Sequence, residues 1–225
     1  MRKPQLPPWK KRMRQFLKLE NKAKLLLAAE LAFILSSIAW DTFAIFWLGF
    51  VFPIFFAICA CVLAGEKRMF YPYIALAAAA LIAEALPDGT IVSLVQATFH
   101  IAGFYLLARE VLRHSFFRNN VPPTDRVLAG IAGYILIGLF ALLISKTISE
   151  LQPNAFLNQI TGAPATLADL LYFSFITLTS LGYGDIVPIT QPAKIFSILV
   201  ALSGALYLAV FIASLISRNH KTHAN

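Results

Sequence analysis

Two glycines flank a tyrosine in the run Thr177-Leu178-Thr179-Ser180-Leu181-Gly182-Tyr183-Gly184-Asp185, which continues as Ile186-Val187-Pro188. Gly182 and Gly184 can adopt dihedrals that a residue with a Cβ resists, so the chain here can leave regular structure and turn successive carbonyls to one side. Carbonyl oxygens gathered around an axis coordinate a dehydrated cation, and that is the chemistry these residue types suggest. Enzyme chemistry has less to build on: no His-Glu-x-x-His cluster and no Ser/Lys or Asp/Asp pair at membrane depth is evident. Cys59 and Cys61 lie two apart in an apolar run, where a helix turns them to different faces. They read as small hydrophobes, with no bridge expected between them.

The elements that must position this stretch are apolar ones. Of 225 residues, 59% are hydrophobic and only 13% charged, against roughly a quarter charged in a soluble domain. That excludes an ordinary soluble globule and a disordered chain, and leaves a polytopic membrane protein. Apolar stretches run over Ala23–Trp40, Thr42–Gly65, Phe70–Leu86, Thr90–Leu112, Val127–Ile148 and Pro192–Ser217, each near the roughly 20 residues that cross a bilayer. A shorter one, Leu167–Thr179, cannot span and is core or re-entrant. The expected fold is therefore an all-α membrane protein of six transmembrane helices, with the short segment buried or re-entrant between the fifth and sixth. Thr166 followed three residues later by Asp169, after Pro164, resembles a capping box at the start of that short helix.

Charge orients the spans. The formal net charge is +8, and threading the chain with its N-terminus inside places 17 of the 19 Lys and Arg on one side. The positive-inside rule then puts both termini in the cytoplasm of a cell-membrane protein. Asp41, Glu84, Asp88, Glu150, Asp169 and Asp185 gather on the other side, where they favour cations. Ser37-Ile38-Ala39 imitates a signal-cleavage site, but the long basic stretch before it fits a retained anchor better. Within that stretch Trp9, Met13, Phe16 and Leu17 share one helical face among basic residues. A helix lying on anionic lipid and a solvated basic arm are equally compatible with this pattern.

Ser180 to Asp185 resembles the selectivity filter of the tetrameric potassium channel superfamily, whose usual form is Thr-Val-Gly-Tyr-Gly-Asp. The resemblance in motif covers Leu167 to Ser217, and the layout covers all six spans. It implies a re-entrant pore helix and filter loop between the fifth and sixth transmembrane helices of a potassium-selective channel, assembled as a homotetramer because one chain supplies a single filter strand. The carbonyls of Ser180, Leu181, Gly182 and Tyr183, with the Ser180 hydroxyl, would line the K+ path. Thr179, Gly184 and Asp185 would support the filter and form its outer mouth, and Tyr183 would brace it from behind. Tyr172, Phe173 and Phe175 match the aromatic positions that wedge around the filter in the family. Serine keeps the hydroxyl of the usual threonine, while Leu181 sets a bulkier side chain behind the filter than the usual valine. A less selective monovalent cation channel and a potassium uptake transporter subunit are the alternatives. No cofactor is implied, and K+ is the permeant ion.

The resemblance implies an organisation: a basic segment over 1–22, a four-helix sensor-like bundle over 23–114, a linker over 115–125, a pore domain over 126–217 and a tail over 218–225. The fourth span carries only Arg109 and Arg113, both at its cytoplasmic end, so strong voltage gating is not expected. Val121-Pro122-Pro123 would break a continuous helix between bundle and pore. The short tail leaves no sequence for a nucleotide- or calcium-binding domain. Gly204 lies where family members place a gating glycine, and a small residue packing on a neighbour is the equal alternative. Tyr207 and Phe211 share a face with Ser203, either lining the pore or packing on the pore helix. Glu30 in the first span is expected to pair with Arg109, with a proton or ligand sensor as the lesser alternative, and His100 could titrate near neutral pH.

Overall fold

The computed structural model describes residues 19–36, 90–112 and 123–223, together with the isolated residues 75, 78, 79 and 82. The expected second and third spans, the basic N-terminal segment and most of the linker fall outside the described residues. Within them the element order is α1 (Leu19–Ser36), α2 (Thr90–Leu112), α3 (Pro123–Leu151), β1 (Phe156–Asn158), β2 (Ala163–Pro164), α4 (Leu167–Leu178), β3 (Ile186–Pro188) and α5 (Gln191–His223). Two of these helices, Pro123–Leu151 and Gln191–Ser217, are long and apolar enough to cross a membrane. The fold is thus mostly helical. It departs from the expected all-α class by one small sheet.

Helix α3 is the centre of the assembly. Pro123 opens it, its fixed φ suiting a first helical position whose N–H has no partner anyway. Asp125, buried in that first turn, lies at the positive end of the helix dipole. Along its length Gly130, Ala132, Gly133, Gly138 and Ala141 keep the backbone accessible to neighbours. α1, α2, α4 and α5 all pack on it. Leu136, Leu139, Leu142 and Leu143 meet Leu26 of α1, Phe104 of α2, and Leu170, Leu171 and Phe173 of α4 in one buried cluster. Phe104 stacks on Phe140 with ring centroids 4.4 Å apart. Burying a side chain of this size stabilises by about 1.5–3 kcal/mol in water. Near the far end of α3, Lys146 and Glu150 form a partly exposed i,i+4 ion pair at 2.8 Å.

The small sheet has the order β2-β1-β3, with β1 antiparallel to both neighbours. Leu157 faces Pro164 on one side and Val187 on the other. The prolines, Pro164 and Pro188, stand on the edge strands, where a missing N–H costs no ladder bond. Phe156 is buried and its ring lies 5.1 Å from that of Phe173 in α4, so the sheet is anchored to the short helix. Two- and three-residue strands show no alternation for sequence reading to find. β1 and β2 pair locally, whereas the β1–β3 contacts join residues 28 to 32 positions apart, across the whole of α4.

α5 contrasts with α3. Of the apolar window of α3, 56% is buried within the chain, against 17% for α5. Leu199, Leu202, Leu206, Val210 and Ile216 are exposed along it.

Candidate ion-conduction site

α4 begins on a complete capping box. The Thr166 side chain accepts from the Asp169 N–H, and the Asp169 carboxylate accepts from the Thr166 N–H at 2.8 Å. These reciprocal bonds satisfy helix-end donors, as the sequence pattern anticipates. The helix runs to Leu178, and Thr179 caps it in right-handed conformation, donating its hydroxyl to Phe175 O at 2.8 Å. The anticipated range, Leu167–Thr179, therefore matches.

From Thr179 the backbone hangs on the end of α4. Ser180 N–H donates to Thr177 O at 3.0 Å, and Leu181 and Gly182 N–H both donate to Ile176 O, at 2.9 and 3.3 Å. Ser180, Gly182 and Gly184 have positive φ of 58°, 52° and 81°, whereas Leu181 and Tyr183 do not. In a regular strand carbonyls alternate sides. Positive φ at every second residue breaks that alternation, and a backbone of this kind can turn successive carbonyls toward one side. Gly182 and Gly184 adopt the left-handed region without steric penalty. Ser180 does so with a Cβ, a strain that no sequence signal reveals.

Thr179 through Gly184 are exposed in the single chain, including the side chains of Leu181 (59%) and Tyr183 (69%). Tyr183 thus has no bracing contact within its own chain. The three aromatic wedge positions go to separate partners. Phe173 is buried beside Phe156, the Phe175 ring lies against Gly138 of α3, and Tyr172 stands near Asp185. A side-chain hydrogen bond with Asp185, reinforced by desolvation and the carboxylate charge, holds the Tyr172 phenol above its ordinary value of 10.0. Asp185 Oδ1 also accepts from the Ile186 N–H at 3.1 Å.

Behind the filter, α5 meets α3 and the end of α4. Gly204 is buried, and a Cβ there would overlap Leu178 O, which also accepts the Tyr134 hydroxyl at 3.2 Å. Of the two roles open to Gly204, close packing is the one this contact requires. Tyr207 donates its hydroxyl to Gly130 O at 2.7 Å, and its ring lies 5.9 Å from those of both Tyr134 and Phe211. The Phe211 ring occupies the space a Cβ on Gly130 would need. Tyr207 and Phe211 therefore turn toward α3 and not toward a free face, which corrects the pore-lining expectation. Gly130 and Tyr134, their acceptor and ring partner, escaped the sequence reading because nothing local marks a glycine or tyrosine as the seat of a distant ring.

Glu30 is fully buried on α1, and neither carboxylate oxygen has a hydrogen-bond partner. Arg109 is exposed at the end of α2. The expected Glu30 to Arg109 pair is thus not formed. α1 turns Glu30 inward onto its neighbours, while Arg109 extends away from the core as a terminal basic residue commonly does. Among the described residues no three His, Cys, Asp or Glu side chains gather to hold a metal ion.

Comparison with known proteins agrees with this geometry. Residues 137–221 match a family model described as "Ion channel". "Two-pore potassium channel 4" of Arabidopsis thaliana is 31% identical over 84 residues, covering 37% of this chain and 30% of that protein. "Two pore potassium channel c" of Oryza sativa subsp. japonica is 36% identical over 76 residues, covering 34% and 16%. The human "A-type voltage-gated potassium channel KCND3" is 31% identical over 107 residues, covering 47% and 16%. The chain thus spans less than a third of the length of these curated relatives. No solved structure matches it significantly. The matched segment holds the second half of α3, the sheet, the re-entrant α4, the alternating backbone and α5, so it is over residues 137–221 that the chain is similar to the ion-channel family and to these potassium channels.

Proposed function

We propose that four copies of this chain form a potassium-selective pore, with the Ser180, Leu181, Gly182 and Tyr183 carbonyls as the ion path. The observation that carries this reading is the backbone itself. Three residues of positive φ, Ser180, Gly182 and Gly184, alternate with two that lack it, and the inner end is suspended on Ile176 and Thr177. A ring of dipoles so held replaces the hydration shell of a cation, and one chain contributes a quarter of the ring. The bare face of α5 and the exposed Tyr183 fit the same assembly, since neighbouring copies would cover what a single chain leaves open.

In this reading the six expected spans, cytoplasmic termini and a basic segment on anionic lipid complete the subunit. The exposed Arg109 at the end of α2 favours opening that depends weakly on voltage. Purified protein in liposomes tests the proposal. A potassium flux with a bi-ionic reversal potential favouring K+ over Na+ supports it. Equal permeation identifies the less selective cation channel, and flux without unitary currents identifies the uptake transporter. Gly182→Ala gives a second test. Gly182 has φ +52° and no atom lies within 4 Å of the point where a Cβ would stand, so the substitution strains only the backbone, by about 1–2 kcal/mol in each subunit. Selective current is expected to be lost while assembly persists. An unchanged potassium current contradicts the filter assignment.

A further inference from the structure

The inner ends of α4 and the filter are joined by the hydrogen bonds on Ile176 and Thr177. Their outer ends meet on two consecutive residues, Asn158 at the end of β1 and Gln159 just after it. Asn158 Nδ2 donates to Asp169 Oδ1 at 3.3 Å, in the capping box that starts α4. The Gln159 N–H donates to Asp185 O at 2.7 Å, where the filter ends. At the other end of β1, the Ile189 N–H donates to Ala155 O at 2.8 Å, so the chain leaving the filter is fastened on both sides of β3. Asn158 has a local task as well: its Oδ1 accepts from the N–H groups of Ile160 and Thr161, at 2.9 and 3.2 Å. Its side chain therefore faces both ways, holding its own turn with the oxygen and the start of α4 with the nitrogen.

We propose that Asn158 and Gln159 form a strap across the outer ends of α4 and the filter, and that Asn158 is a positioning residue for selective conduction. The inference rests on reading Ser180 to Tyr183 as the ion path. A carbonyl ring discriminates among cations through the number and field of dipoles it keeps in place. Asp185 lies two residues beyond Tyr183, so a bond that restrains the Asp185 carbonyl limits the excursions of the outermost coordinating group. Asp169 gives the strap its fixed end, because the same carboxylate is already committed to the Thr166 N–H and hydroxyl. Bonds to a charged group are the stronger kind, and a network with every member satisfied is stiffer than its parts.

The opposed demands on Asn158 supply the test. Asn158→Asp keeps an oxygen for the Ile160 and Thr161 turn, removes the donor, and sets a second carboxylate against Asp169. Adding Asp169→Asn restores one donor and one acceptor with their places exchanged, and leaves an oxygen for the Thr166 N–H. Tetramers in planar bilayers are compared by bi-ionic potential and by the decay of current at low external potassium. Asn158→Asp is expected to lower the K+/Na+ permeability ratio about tenfold, the lower end of the effect that losing a hydrogen bond to a charged group produces, and to hasten decay. The double variant is expected to recover most of both. A purely local role for Asn158 predicts a normal single variant, and that result overturns the strap, as does a double variant no better than the single one.

Gln159→Pro removes the N–H that reaches Asp185 while Asn158, already extended, tolerates a following proline. It should reproduce the loss of selectivity, and it decides the matter should Asn158→Asp fail to assemble, a wild-type ratio then overturning the proposal. Wild-type protein that passes no potassium current defeats the channel reading instead. The strap is then judged by thermal dissociation of the oligomer: recovery in the double variant supports it, and simple addition of the two losses overturns it.

Discussion

Gly204→Ala separates two roles for this glycine by the sign of its effect. A Cβ at position 204 overlaps Leu178 O, a backbone atom that cannot rotate away and that the Tyr134 hydroxyl also holds. α5 must retreat from the end of α4, by about 1 Å to restore ordinary contact, and overpacking of this kind costs about 1–3 kcal/mol. Alanine returns up to about 1 kcal/mol through its better helix propensity. The net expectation is a loss of about 1–2 kcal/mol per subunit, or about fivefold to thirtyfold in the folding equilibrium. A hinge glycine with open space predicts the reverse: a gain of about 1 kcal/mol with altered opening. Thermal unfolding of the purified protein reads the sign, and single-channel recording reads the opening. Tyr134→Phe frees Leu178 O to move, so the two substitutions together should cost less than their sum by about 0.5 kcal/mol or more. A Gly204→Ala variant that melts higher than wild type refutes the packing argument outright.

Thr166→Ala removes the capping side chain of α4 and should lower thermal stability by about 1 kcal/mol, with Thr166→Ser restoring it; equal melting of wild type and the alanine variant counts against the capping role. Glu30→Gln replaces a buried carboxyl whose oxygens lack hydrogen bonds by an amide of the same size, so stability should hold within about 1 kcal/mol or rise. A fall of about 3–5 kcal/mol, as a broken buried ion pair would give, restores the pairing with Arg109. The Tyr172 phenol is raised above 10.0 by Asp185, so the contribution of that contact is complete below the unfolded value and is lost as pH climbs through the folded one. Melting of the wild type relative to Tyr172→Phe should therefore be level from about pH 7 to 9 and fall only above about pH 10, and a difference that persists unchanged at higher pH contradicts the contact.

What the sequence disclosed was local. Thr166 and Asp169 announce a helix start through their own spacing, and Gly182 and Gly184 announce backbone freedom through their lack of a Cβ, so both could be read without knowing what lay nearby. The features that escaped depend on distance. Asn158 gains its meaning from Asp169 and Gln159 from Asp185, across a helix whose path is fixed only by packing. Which face of α5 carries Tyr207 and Phe211 was open because an aromatic residue suits a lining and a packing position equally well. The Glu30 to Arg109 pair failed for a related reason: matching depth along two helices says nothing of their rotation, and rotation turned one inward and the other out. Ser180 shows a further limit, since a residue with ordinary propensities is held in the left-handed region by its surroundings.

The placement of α3 makes it a single shaft between two assemblies. α1 and α2 make their main contacts with α3, and α3 in turn carries α4 and α5. A push or twist originating in the first helices therefore reaches the conducting part as a displacement of α3, transmitted where Gly130 seats Phe211 and Gly138 seats Phe175. These seats have little slack, because each leaves no room for even a methyl group. The front of the molecule is thus replaceable in principle: any helical pair that fits the outer surface of α3 could drive the same machinery, and its stimulus would become the stimulus of the whole.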